Sequence, residues 1–208
     1  MTPKRTNPYA REYANFLKQT QGHQLTVLHD DGLYRHLRMH TPADGSIWSW
    51  NMVTWPGYLA TVGDIANGYT FTRELDMIGF FEMGMHFQDY YSDGAPSIDF
   101  RYWAEKLANT QRDSVREFSK EKFLERVRYT LSDDGYITSE VDDLLSSAAW
   151  CDSTHAAHEW LEEHSSKVGQ DTWEWDLSEF SVHFLYTCWA INKTVSAYRA
   201  TQAKAVPA

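Results

Sequence analysis

The sequence predicts an α+β fold, with an N-terminal antiparallel β-meander covered by a C-terminal helical lobe. Two observations carry that prediction. Between Leu33 and Arg73, strand-like residues are cut by turn signals at Thr41-Pro42-Ala43-Asp44-Gly45, Pro56-Gly57, Gly63-Asp64 and Asn67-Gly68. After Arg73 the apolar spacing changes from two to three-to-four, which is the period of helices. At 208 residues the chain is long enough to bury a core without staples. The expectation is therefore one domain, with sheet over about 24–73 and helices over about 75–200.

Taken in order, Pro8 to Thr20 places Tyr9, Tyr13, Phe16 and Leu17 on one side of a short helix. Gln24 to His29 reads as a short strand stopped by Asp30-Asp31-Gly32. Leu33 to His40 sets Leu33, Arg35, Leu37 and Met39 against Tyr34, His36, Arg38 and His40, so the first face has a core pattern broken only by Arg35. Ile47 to Thr54 sets Trp48, Trp50 and Met52 against Ile47, Ser49, Asn51 and Val53, which predicts Trp48 and Trp50 in the core. Tyr58 to Val62 and Tyr69 to Thr72 complete the meander.

Downstream, Leu75 to Met83 is short and apolar, and His86 to Pro96 reads as a polar loop. Ser97 is placed to cap a helix carrying Phe100, Trp103, Ala104 and Leu107. Ser119 is placed to cap another, with Phe123, Leu124, Val127 and Leu131, which Ser132-Asp133-Asp134-Gly135 ends. Ser139 with Asp142 has the spacing of a capping box before Val141, Leu144, Leu145 and Ala148. Ser153 or Thr154 starts a helix with Ala157, Trp160 and Leu161. Leu177 to Ala200 gives the longest helical pattern, with Phe180, Phe184, Cys188, Ile191, Val195 and Tyr198 along one face.

Net charge is −10, and its distribution is uneven. Ser132 to Phe180 holds thirteen acidic residues against Lys167 alone, while the rest of the chain is slightly basic. Such one-sided patterning points to electrostatic recognition, with a solvated face as the plain alternative. Nine Trp exceed ordinary core needs, which places some of them at the surface. Cys151 and Cys188 make no disulfide framework, and no apolar run is long enough to cross a membrane. The expected location is a reducing cytoplasm.

The blocks Tyr34-Arg35-His36-Leu37-Arg38, Thr54-Trp55-Pro56-Gly57-Tyr58-Leu59-Ala60, Gly63-Asp64, Asp76-Met77, Phe80-Phe81 and Tyr102-Trp103-Ala104-Glu105-Lys106-Leu107 together resemble a family of uncharacterised tailed-phage and prophage accessory proteins. The resemblance covers roughly Leu33 to Leu107 and transfers no catalytic residue. It implies an accessory protein acting in the cytoplasm of a bacterial host, where such proteins often bind and disable a host or defence component.

Chemical motifs are sparse. Thr130 to Ile137 resembles a calcium loop, but the closing acid falls at Val141, so a helix-ending turn is the better reading. His155, His158, Glu159 and Glu162 share a helix face without a matching ligand pair elsewhere, and neither cysteine sits in a nucleophile motif. No catalytic residue, metal or cofactor is expected. The expected function is an interaction protein that binds and inhibits a host or antiviral-defence factor as an acidic nucleic-acid mimic. Its partner would carry a basic nucleic-acid-binding surface, with no direct nucleic-acid or membrane binding by this chain. The residues expected at that interface are Asp133, Asp134, Glu140, Asp142, Asp143, Glu159, Glu162, Glu163 and Trp55. The alternative is a small-ligand or nucleotide-binding protein, or an enzyme, using Arg35, His36, Arg38, Asp64 and Arg73 on the meander.

Overall fold

The computed structural model describes residues 4–42, 46–66, 68–83, 90–108, 115–133 and 135–205. The chain divides into two compact units, Met1–Val115 with Ser181–Ala208, and Arg116–Phe180. The fold is α+β, as the meander followed by helical periodicity predicts.

In the first unit, β1 (Gln24–Asp31), β2 (Tyr34–His40), β3 (Trp50–Trp55), β4 (Tyr58–Gly63) and β5 (Thr70–Thr72) pair in sequence order as an antiparallel sheet. Gly32 at φ +61° and Gly57 at φ +84° make the two tight hairpins, where a Cβ would be strained. The register aligns Leu37, Met52 and Thr61 on one face, with Arg35, Thr54, Leu59 and Phe71 in the same layer. All seven are buried. The other face carries Tyr34, His36, Arg38, Asn51, Val53, Trp55 and Tyr58, which stay half-buried or exposed.

One element covers much of the inner face. Helix α8 (Val182–Ala205) packs against β1, β2 and β3, and also against α1 (Ala10–Gln19), α2 (Met77–Met83) and α3 (Phe100–Ala104). Being surrounded, it is apolar on several sides: Phe184, Leu185, Cys188, Trp189, Ile191 and Val195 are all buried. The indole N–H of Trp50 donates to the Thr194 hydroxyl at 2.8 Å, which fixes the helix over β3. Phe16 of α1 lies against both Trp50 and Trp189.

Several local expectations change. Strand β1 runs on through Asp31 because a bulge after Val27 returns Asp30 to the inner face, where it accepts a hydrogen bond from the Tyr198 hydroxyl at 2.8 Å. Trp48 is 41% exposed and left-handed at φ 57°, so it belongs to the turn before β3 and not to the core. The cap of α3 is Asp99, not Ser97, and the helix stops at Ala104 because Leu107 leaves to bridge Phe71 of β5. The turn residues 43–45 and Asn67, and the first four residues of the expected His86–Pro96 loop (86–89), lie outside the described residues.

The second unit begins and ends with a two-stranded ribbon, β6 (Arg116–Phe118) against β7 (Ser178–Phe180). Between them come α4 (Lys120–Asp133), α5 (Thr138–Ala148), α6 (Thr154–Glu163), the short α7 (Ser165–Val168) and a 3-10 turn at Thr172–Glu174. Ser119 and Ser153 cap α4 and α6 through their hydroxyls, as expected. At α5 no side chain caps the helix, which starts at Thr138 and leaves Ser139 inside the first turn. Gly135 at φ +81°, with the Tyr136 N–H donating to Leu131 O, closes α4 in a helix-ending turn. Phe123, Val127, Leu131, Val141, Leu144, Ala148, Ala157, Trp160 and Leu161 form part of the unit's own core. Residues 178–180 are strand rather than the start of the last helix, because β6 offers them backbone partners.

Candidate functional site

The charge follows the unit boundary. Arg116–Phe180 contains sixteen acidic residues and six Lys or Arg, so it carries the whole formal charge of −10. The other unit is balanced, thirteen against thirteen.

Helical phase explains where these acids point. On α5, burial of Val141, Leu144, Leu145 and Ala148 turns Glu140, Asp142 and Asp143 outward. On α6, burial of Ala157, Trp160 and Leu161 does the same for Glu159, Glu162 and Glu163. Asp133 is exposed at the end of α4, and Asp134 lies outside the described residues. Glu159 meets His155 at 3.3 Å. Among the described residues, no ion pair neutralises Asp133, Glu140, Asp142, Asp143, Glu162 or Glu163.

Other acids of the unit serve its fold. Asp176 receives the Arg116 guanidinium at 2.7 Å and the Lys122 ammonium at 3.3 Å. Burial alone would raise its pKa, but hydrogen bonds from the Ser178 hydroxyl and N–H, with the charges of Arg116 and Lys122, bring it down to about 2. Glu179 accepts a hydrogen bond from the Ser119 hydroxyl at 2.9 Å.

Two tryptophans that pattern analysis did not single out stand in this acidic surface. Trp150 is 88% exposed just past the end of α5, and Trp173 is 69% exposed in the 3-10 turn. The available signal was position: Trp150 falls two residues after the buried Ala148, and Trp173 follows the buried Thr172. Trp173 lines an open groove of about 430 Å³ with His158, Glu162, Ser165 and Gln170, and the buried Leu161 and Thr172 lie at its base. A second groove, of about 460 Å³, is lined by Lys122, Arg126, Glu174 and Trp175. The Arg126 guanidinium already lies 5.2 Å over the Trp175 ring there.

Trp55 belongs to the other unit, half-buried on the outer sheet face and stacked on Tyr58 with centroids 5.3 Å apart. The five meander residues considered for a ligand do not converge. Arg35 is 8% exposed on the inner face, held by Asp76 at 2.9 and 3.4 Å and near Asp30 at 3.7 Å. His36 and Arg38 lie on the opposite face, where His36 shares a hydrogen bond with Asn51 at 2.9 Å. Asp64 accepts the N–H of Trp48 at 2.9 Å and thereby holds the left-handed turn. Arg73 is exposed, 3.7 Å from Glu74.

Among the described residues, no three His, Cys, Asp or Glu side chains come together as a metal site. Burial pushes the Cys151 and Cys188 thiols up, opposite to the shift of an activated thiolate. No helix among the described residues is long and apolar enough to cross a membrane. Compared with known proteins, the chain matches no family model, no curated protein and no solved structure.

Proposed function

We propose that the protein is a phage-encoded interaction protein that binds and inhibits a host or antiviral-defence factor, with Arg116–Phe180 as the recognition module. The carrying observation is that this unit concentrates all the net negative charge, and that six of its sixteen acids are outward-facing carboxylates on α5 and α6. Carboxylates fixed on rigid helices approximate a row of phosphates and accelerate encounter with a basic cleft. Exposed Trp150 and Trp173 add the side-chain type that most often anchors a protein interface. Tagged protein passed through bacterial lysate should retain a basic partner at low salt and release it at high salt. Replacing Asp142, Asp143, Glu159, Glu162 and Glu163 by their amides should abolish that capture. Unchanged capture by the amide variant would overturn the electrostatic reading.

A second reading attaches to the outer sheet face, where the Trp55–Tyr58 stack shares a surface with Tyr34, His36 and Arg38. That combination suits a small anionic ligand bearing a flat ring, such as a nucleotide. A thermal-shift series with nucleotides at high excess tests it, and an unmoved transition would remove it.

A further inference from the structure

We propose that the groove beside Trp173 receives an arginine side chain of the partner, its guanidinium stacked on the indole and forked onto the Glu162 carboxylate. This deepens the acidic-module reading and rests on it, because the surrounding charge is what favours a cationic occupant. Burial of Thr172 and Leu177 anchors the chain on either side of the 3-10 turn while leaving Trp173 itself 69% exposed. Its exposed indole offers a flat π-face to a partner at the edge of the groove.

The walls say what would cover it. His158 and Glu162 are one helical turn apart on α6 and therefore point to the same side, toward the groove they both line. Glu162 has no ion-pair partner among the described residues. Ser165 and Gln170 add further oxygen acceptors. A planar cation satisfies the ring face and the carboxylate together, and guanidinium does so better than ammonium because it stacks and donates two parallel N–H bonds. The same unit already makes such a contact internally, with Arg126 over Trp175.

The test titrates the isotope-labelled full chain with the peptide acetyl-Gly-Arg-Gly-Arg-Gly-amide and with its lysine counterpart, followed by NMR. The Trp173 indole N–H and the Gln170 amide should shift saturably, with the arginine peptide tighter than the lysine one. Trp173→Ala should weaken binding roughly tenfold, while Ile137→Ala, at an exposed apolar side chain outside the groove, should not change it. Trp173→Phe, which keeps a ring, should lose less and shows that the turn still folds. The proposal falls if the Trp173 resonance stays still, if lysine binds as well as arginine, or if Trp173→Ala binds like the parent. Peptide binding that persists while the five-amide lysate experiment shows no charge dependence would sink the acidic-module reading alone. Salt-sensitive partner capture with a silent groove would sink the arginine assignment alone.

Discussion

Arg35 ties the sheet to its surroundings through charge. It lies in the buried layer of the sheet, where an unpaired guanidinium would be untenable, and Asp76 and Asp30 compensate it. The Tyr198 ring lies 5.8 Å away, so α8 shares in the arrangement. Its partner Asp76 also accepts the Ile78 N–H at 3.1 Å and so holds the start of α2. Truncating Arg35→Ala leaves Asp76 and Asp30 without their shared cation, and urea unfolding should show a loss of roughly 2–3 kcal/mol. That is below the range for fully buried pairs because both acids are about a third exposed. Gly63 is a second strict position. A Cβ there would stand 2.4 Å from Ser49 O and 2.5 Å from Trp50 Cα, both backbone atoms that cannot swing away. Gly63→Ala should therefore cost at least about 2 kcal/mol in the same measurement, more than an ordinary glycine-to-alanine change in a turn.

At the scale of elements, the β6–β7 ribbon hangs on Asp176. The folded-state pKa of that carboxyl is depressed, so its stabilisation is complete above about 4 and disappears as pH falls through about 2. An acid titration by circular dichroism should show the helices of Arg116–Phe180 loosening in that window, and Asp176→Asn should lose this component at every pH. The gain per pair is modest because the group is largely exposed. The same ribbon marks where sequence reasoning stops. The hairpins were legible because Gly32, Pro56-Gly57 and two-residue alternation act locally. Residues 178–180 were not, since Leu177, Phe180 and Phe184 imitate helical spacing and only pairing with Arg116–Phe118, some sixty residues earlier, makes them strand. The candidate site divides in the same way. Outward acids on α5 and α6 follow from the apolar period, but Trp173 and Trp160 look alike in sequence until the end of α6 and the following turn separate them.

For the molecule as a whole, the decisive contact is the 2.8 Å hydrogen bond from the Ser181 N–H to Val115 O. The chain leaves the first unit and re-enters it at adjacent backbone positions, so Arg116–Phe180 is an excursion with neighbouring ends. Replacing those residues by a short glycine turn should leave a protein that unfolds cooperatively and keeps the sheet, because no core residue of the first unit is removed. Its net formal charge would be zero, against −10 for the parent, and ion exchange should report that change directly. The shortened protein should no longer capture a partner through the acidic surface. A shortened chain that failed to fold would show the first unit to depend on the excursion.

Placing the cover of the sheet at the far end of the chain has a consequence during synthesis. The ribosome completes β5 at Thr72, yet α8 ends at Ala205, so the face bearing Leu37, Met39, Trp50 and Met52 must wait for the 133 residues from Arg73 to Ala205 to be made. At ordinary elongation rates that delay is on the order of ten seconds. The excursion, by contrast, has its own core and both of its strands before α8 begins, so it can fold first while the older sheet remains unsheltered. Nascent chains arrested before Val182 should accordingly recruit chaperones or aggregate, and those arrested far enough beyond Ala205 for α8 to leave the exit tunnel should not.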